Sequence, residues 1–507
     1  MDISEAYFSA SPGDSLRSMS DRVTERINLL DKGVDPTGAA DSYDAIMLAH
    51  DALQPGQELY LPRGARAATS QTLAFSKRQI VIDFQGAICP HGDHDDFLID
   101  FNQDGADPEY NNVAYMLDIK RLEIDGKLQS RGVRFDQLYL SNPQNVRVFN
   151  AYGTAVSIDN SMEDSWSGLV IANGLRRNAS WLGAAAAWNS GTSYAVGDRV
   201  FVEYAAYNSG TTYAVNNFVT YGGRSYRSLL GSNLNKQPDT NPTWWQPVPI
   251  EYFECMISHS NKDPHSASNF TTNSSTEADR YWKQVYADEA ALEIVNTYGT
   301  EVVDNQKFFA PYFRHNDHKT LIRIDNQANN RRVVNVEFYG PQFHQIIDTY
   351  LSAFPETGQQ AQDYSVITQI GHATRCKFFG GTSRSAESEF VTHFQFGMKN
   401  PGKLCNRHIV QGMDISGEGQ ANYGISIMPG ASGTAGITLT SGDNEFAFTS
   451  ASTSPRLVGD TTKVSSLSAA HDILTASTPS NFSASRIIRV ADAAGNIYFV
   501  PAATATW

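Results

Sequence analysis

At 507 residues the chain has room for a large buried core and about two to four domains. Lys plus Arg number 39 against 54 Asp plus Glu, for a formal net charge of -15 with no Lys/Arg cluster and no basic tail, which excludes a binder of nucleic-acid phosphates. Four cysteines, Cys89, Cys255, Cys376 and Cys405, show no C-x-x-C spacing, so free thiols are expected rather than a disulfide framework or a metal knot.

Residues 1–25, with MDISEAYFSASPGD first, lack a basic stretch followed by an apolar one and read as an N-terminal connector. LGAAAA at 182–187 is far too short to cross a bilayer, so no membrane insertion is expected. Residues 26–183 open with a helix, Asp41 or Ser42 its N-cap and Ile46, Met47, Ala49 and Leu53 its apolar spacing. Short strands follow in GQELYLPRGARAATS and RQIVIDFQGAI. DPTGAADSYDAI and LYLPRG, within Asp35 to Gly64, resemble the start of the pectate-lyase-like β-helix domain of bacteriophage tailspikes, and the ending GNIYFVPA resembles a tailspike terminus. The resemblance implies a capsular or lipopolysaccharide depolymerase: a homotrimer that binds bacterial surface polysaccharide and usually cleaves it, located on the virion tail. Its N-terminus would join the tail or another tail protein.

Residues 184–286 repeat themselves. WNSGTSYAV from Trp188 is answered by YNSGTTYAV from Tyr207, nineteen residues on. FECMISHSN from Phe253 then answers YRSLLGSN from Tyr226, and RYWKQV from Arg280 answers TWWQPV from Thr243. Two heads precede two tails, so the simplest parse nests one module, 207–248, inside a loop of another. Alternation in each head (Tyr194, Val196, Val200, Val202; Tyr213, Val215, Val219, Tyr221) predicts small antiparallel sheets. The pattern W-N-S-G-T-x-Y-x-x-G-D-x-V, G-G-x-x-Y and P-x-x-x-P-x-x-W-W resembles small carbohydrate-binding modules of the chitin-binding type. That resemblance implies sugar stacking by rings among Trp188, Tyr194, Tyr213, Tyr226, Trp244, Trp245 and Trp282; the other reading of most of them is the core of a tiny domain.

From 287 to 430 short strands end in an acidic residue and a polar turn: TEVVDN, LIRIDN and QIIDTY, like RLEIDG and AVSIDN before the insertion. Asp304, Asp325 and Asp348 lie 21 and 23 residues apart, the roughly twenty to twenty-five residues that one circuit of three short strands needs. Spacing points to a parallel β-helix, and with the tailspike resemblance the fold class expected is all-β, a right-handed parallel β-helix with inserted small antiparallel modules, homotrimeric. Equivalent positions on adjacent rungs are about 4.8 Å apart, close to the separation of a retaining carboxylate pair. Asp304, Asp325 and Asp348 lead the catalytic candidates, with Glu337 and Glu301 next; each is also a plausible turn residue.

GDSL at Gly13 to Leu16 lacks the preceding apolar strand and the distant D-x-x-H of a serine esterase. HGDHDD at His91 carries metal-type ligands without further spaced partners, and neither metal nor cofactor is expected. YFRHNDHK at Tyr312 could supply acid, base and uronate-neutralising groups for a lyase; a solvated turn is the alternative. Residues 431–507 are rich in Ser, Thr and Ala between short alternating segments and read as a trimerisation region with a shared core. Glycoside hydrolysis is the leading activity; a polysaccharide lyase and a non-cleaving adhesin are the alternatives.

Overall fold

The structure, a computed structural model, describes residues 26–77, 79–92, 94–101, 117–177, 180, 182–265, 281–296, 303–326, 333–346, 364–371, 373–386, 390–397, 405, 407–417 and 421–428, together with short strands outside these ranges. The chain divides into two compact units, one of residues 1–177, 288–322 and 331–342, the other of 178–287, 323–330 and 343–507.

The first unit opens with the helix Tyr43–Asp51, whose buried side is Ile46, Ala49 and His50. Ser42 is its N-cap residue, but the side chain that accepts the Tyr43 N–H is Asp41. The rest is a parallel β-helix. One ladder runs through Arg26–Asn28, Glu58–Leu61, Val81–Pro90, Asp118–Asp125, Val146–Phe149, Val170–Ala172 and Tyr312–Asn316. A second runs through Leu73–Ala74, Phe97–Phe101, Arg131–Asp136, Val156–Asp159 and Leu292–Asn296, and a third through Ser165–Ser167, Lys307–Phe309 and Glu337–Tyr339. Parallel partners need a crossover, and here the rest of the circuit supplies it: Val133 pairs with Val156, 23 residues on, and Leu122 with Val146, 24 on.

The core holds an aromatic column among aliphatic side chains such as Ile124, Val148, Ile158 and Ile171. Phe101 stacks on Phe135 at 5.1 Å, Phe135 meets Trp166 edge-on at 4.9 Å, and Trp166, Phe308 and Phe338 continue the column. After the strand-ending Asp136, Asp159 and Asp304 the next residue turns the corner with positive φ: Gln137 at 61°, Asn160 at 48° and Asn305 at 53°. Asn tolerates the left-handed region better than other non-glycine residues, which explains the Asp-Asn pairs of the sequence.

The second unit holds two small sheets and further coil. The outer sheet has the order Ala186–Ala187, Arg199–Phe201, Tyr252–Cys255, Trp282–Val285; the inner has Phe218–Tyr221, Arg224–Ser228, Trp245–Val248. The two copies share their hydrogen bonds as well as their strands. Asn189 N–H donates to the Tyr194 hydroxyl at 2.7 Å, and Asn208 N–H to that of Tyr213 at 2.7 Å. Trp282 Nε1 donates to the Lys262 carbonyl at 2.7 Å, Trp245 Nε1 to that of Lys236 at 2.6 Å.

The coil of this unit is parallel too: Tyr364–Ile370, Phe390–Phe396, Ala421–Ile427 and Leu457–Gly459 form one ladder, and Lys377–Phe379, Ile409–Gln411, Ile437–Leu439 and Val464–Leu467 another. The ladders thus continue past residue 430, before an antiparallel hairpin of Ile487–Ala491 with Ile497–Pro501.

The inner module lies on this coil. Arg227, fully buried, donates to the Ile427 carbonyl at 2.7 Å and the Ser426 hydroxyl at 3.1 Å. Gln246 Nε2 reaches Thr392 Oγ1 at 3.0 Å, and the Tyr423 hydroxyl donates to the Trp245 carbonyl at 3.1 Å. All four cysteines are buried free thiols. Among the described residues no helix is long and apolar enough to cross a membrane.

Candidate functional site

Asp304 and Asp325 lie in different sheets and do not stack. Asp304 belongs to the strand Val303–Asp304, half-buried, and its register partner one rung on is Val334. Its carboxylate accepts from Asn335 Nδ2 at 2.8 Å. Asp325 is the last residue but one of the strand Thr320–Asn326, buried, and accepts the Tyr286 hydroxyl at 2.5 Å, while the Arg323 guanidinium lies 3.9 Å over the Tyr286 ring. The circuit has lengthened here, Val303 pairing with Val333 thirty residues on, so a step of 21 residues carries the chain only partway round, to a different sheet. Asp348 and Glu301 lie outside the described residues. Glu337 is buried, opposite Lys307 in register, and accepts the Tyr339 hydroxyl at 2.5 Å. That bond to a carboxylate pushes the Tyr339 phenol up to about 12.

The structure does contain a pair of carboxylates on adjacent rungs, at positions the 21-residue spacing passed over. Asp136 and Asp159 are register partners at the ends of Arg131–Asp136 and Val156–Asp159. The rung spacing sets them about 4.8 Å apart, near the separation used in retaining glycosidases. Both are deeply set, at 2% and 4% exposure. Burial, and then the charge of Asp159, raise the Asp136 carboxyl to about 7. Asp136 therefore keeps its proton up to about neutrality, with the second acid, Asp159, one rung on.

Asn160 Nδ2 donates to Asp136 Oδ1 at 3.3 Å, and its own Oδ1 is buried without a partner. Beside the pair, the Arg134 guanidinium holds Asp100 through Nε at 3.0 Å. The sequence signal that would have found this site is VRFDQL followed 23 residues later by VSIDNS, two strands ending in Asp at one circuit's spacing.

The module aromatics form two cores. Tyr194 and Trp282 pack with Val200, Val202 and Phe253; Tyr213, Tyr226 and Trp245 pack with Val219. These five rings are buried, with no face open to a sugar, because a sheet of three or four short strands has little else to bury. Trp188 and Trp244 are half-buried, Trp188 against the outer core and Trp244 against Leu229, Leu230 and Tyr423.

YFRHNDHK is no solvated turn. Asn316, Asp317 and His318 are buried, His318 Nε2 is bonded to the Gly153 carbonyl at 2.9 Å, and burial lowers its imidazole to about 4. In HGDHDD, Asp95 is paired with Arg177 and Asp96 with Arg131. Among the described residues no three His, Cys, Asp or Glu are placed to hold a metal ion.

No family model matches the chain, and no curated protein matches it. Among solved structures it is similar to ORF18 of Geobacillus virus E2 (14% identity, TM-score 0.40, 87% of this chain and 64% of that one). It is also similar to PfbA, a surface adhesin of Streptococcus pneumoniae (10%, 0.36, 85% and 91%). A third is the tailspike protein of E. coli bacteriophage HK620 in complex with pentasaccharide (12%, 0.32, 88% and 66%). The chain thus spans less than two thirds of the first of these, and at such superposition none assigns an activity to it.

Proposed function

We propose that this chain binds and hydrolyses a bacterial surface polysaccharide, capsule or lipopolysaccharide, as a phage tailspike does, and that Asp136 and Asp159 carry the reaction. The register pairing of these two carboxylates, with a proton held on one of them, is the observation that supports it. In the first step the Asp136 carboxyl donates its proton to the glycosidic oxygen. The Asp159 carboxylate attacks the anomeric carbon as the bond to that oxygen breaks, a step that requires the side chains covering both carboxylates in the free chain to move aside as the glycan binds. In the second step the Asp136 carboxylate takes a proton from water, whose oxygen displaces Asp159 and releases the sugar with retained configuration. The same reading has the chain working as a homotrimer, attached to a virion tail through its N-terminal connector and acting at the host cell surface.

The test is a panel of surface-typed bacteria screened for turbidity halos, followed by incubation of the purified protein with the positive glycan. New reducing ends with retained anomeric configuration, lost in Asp136→Asn and Asp159→Asn, are expected. Rising ultraviolet absorbance of an unsaturated sugar points to a lyase and sinks hydrolysis. A glycan that binds but keeps its size distribution makes the protein an adhesin.

A further inference from the structure

The third ladder of the first unit presents a second aromatic row, on its outer side. Trp166, Phe308 and Phe338 point inward into the column; their neighbours Ser167, Phe309 and Tyr339 are in register on the opposite face, with Gln144 bridged to Ser167 one rung earlier. Phe309 stacks on Tyr339 at 5.2 Å and an interplanar angle of 10°, so one of its two faces is taken. Its other face looks along the row toward Ser167, which offers a single hydroxymethyl. The ring is accordingly 44% exposed, the only aromatic among the strongly exposed large apolar side chains of the described residues.

The opening beside that face is one rung wide, about 4.8 Å. That admits one flat ring in contact with the aromatic and nothing thicker. Gly168 follows Ser167 with φ 67°, and a Cβ there would come within 3.1 Å of Asn145 Oδ1, so no side chain from that position closes the opening. Two residues back on the same outer face are Ser165 and Lys307, again in register. A hydroxyl and an ammonium therefore lie along one edge of the open ring, with the buried Glu337, whose carboxylate takes the Tyr339 hydroxyl, one rung beyond the ammonium on the side away from the opening.

We infer that the free face of Phe309 above Ser167 is a monosaccharide subsite, which takes a pyranose through its apolar C–H face with an acidic substituent toward Lys307. The chemistry follows from the groups present. An aromatic face that ends a stack and borders a gap one ring thick suits a sugar whose axial hydrogens make one side apolar, and the ammonium beside it suits a uronate or another anionic group. This subsite rests on the polysaccharide reading above and narrows the substrate to acidic glycans.

Ser167→Phe tests it without removing anything, since a third ring continues the Phe309–Tyr339 row and fills the opening. Phe309→Ala removes the platform, and Lys307→Met removes the charge while keeping the stem. The three are compared with wild type for KM and kcat on the glycan found in the halo screen, with melting temperature and sedimentation run alongside. The expected result is a rise in KM of about three- to tenfold in Ser167→Phe and in Phe309→Ala, with kcat nearly unchanged and Ser167→Phe melting no lower than wild type. Lys307→Met should raise KM for the acidic glycan and not for its carboxyl-reduced form; equal effects on both overturn the acidic assignment. Unchanged KM in Ser167→Phe and Phe309→Ala, with wild-type cleavage intact, overturns the subsite and leaves the function standing. A changed sedimentation coefficient with unchanged KM marks Phe309 as a contact between copies and likewise overturns it. Absence of binding and cleavage by the wild type fails the polysaccharide reading itself.

Discussion

Asp136→Asn separates the chemistry of the acid pair from its energetics. The Asp136 carboxyl is raised from 3.8 to about 7, first by burial and then by Asp159. Because the folded state holds this proton more tightly than the unfolded state, ionisation weakens folding. The penalty is absent below about pH 4, where both states are protonated, accrues as the pH rises, and is complete above about 7. At about 1.4 kcal/mol per unit, the full penalty is on the order of 4 kcal/mol. Asparagine cannot ionise, and its amide can donate to the Asp159 carboxylate one rung on. The variant should therefore melt near the wild-type temperature at pH 4 and progressively above it toward pH 8, while glycan cleavage is lost throughout. Thermal unfolding followed by circular dichroism at half-unit pH steps, with reducing-end assays on the same samples, reads both. A gap that stays constant with pH refutes the shared proton, and retained cleavage refutes the assignment of Asp136 as the acid.

His318, neutral and buried with its imidazole lowered to about 4, contributes stability that is complete above about pH 6.5 and is lost as the pH falls toward 4; His408, lowered to about 3 by burial, acts in the same sense. His318→Gln, which keeps a donor for the Gly153 carbonyl, should flatten the acid limb of the melting curve between pH 6.5 and 4, and an unaltered slope would count against it. Trp245→Ala should cost about 3–5 kcal/mol and open residues 207–248 to protease while the outer module stays resistant, and Trp282→Ala should do the reverse. Digestion of both modules by either substitution would show that they fold as one.

Much of this molecule can be read from sequence because its signals are local. The head, head, tail, tail order matches the strand order of two sheets, and the corner asparagines announce themselves as Asp-Asn. Rung spacing is not local. It is 24 residues from Leu122 to Val146 and 23 from Val133 to Val156, but 37 at Val81, 30 at Val303 and 32 at Lys377, because turns of different length enter the circuit, so the 21 residues between Asp304 and Asp325 were no guide to stacking. The true register partners, Asp136 and Asp159, were visible only as two more strands ending in Asp. Five of the module aromatics are core for a different reason: a domain this small fills its core with its largest rings, and sequence spacing does not distinguish a stacked core from a binding platform. Nothing local marked Arg227 either, whose carbonyl partner is 200 residues away.

That docking decides what removal of the inner module does. Residues 202 and 251 are joined by a hydrogen bond from Val202 N–H to the Glu251 carbonyl at 3.2 Å. The Glu251 carboxylate also takes the Tyr204 hydroxyl at 2.9 Å and contacts His265 Nε2 at 2.7 Å. The neck of the outer module is thus closed by its own residues, and deletion of 207–248 with a short turn in its place should leave the outer sheet folded. The coil underneath loses more. Tyr423, Ser426 and Thr392 become exposed, and the bonds from the buried guanidinium, worth about 1.5–3 kcal/mol each, disappear. The deleted protein should melt lower, with faster amide exchange in Phe390–Phe396 and Ala421–Ile427. Arg227→Ala should reproduce the faster exchange with the module still present. Affinity for the polymer should stay at the wild-type value, because Tyr213, Tyr226 and Trp245 offer it no free face. Unchanged exchange in those two strands would mean that the docking contributes nothing to the coil. A fall in polymer affinity with the coil intact would return the inner module to the role its sequence first suggested.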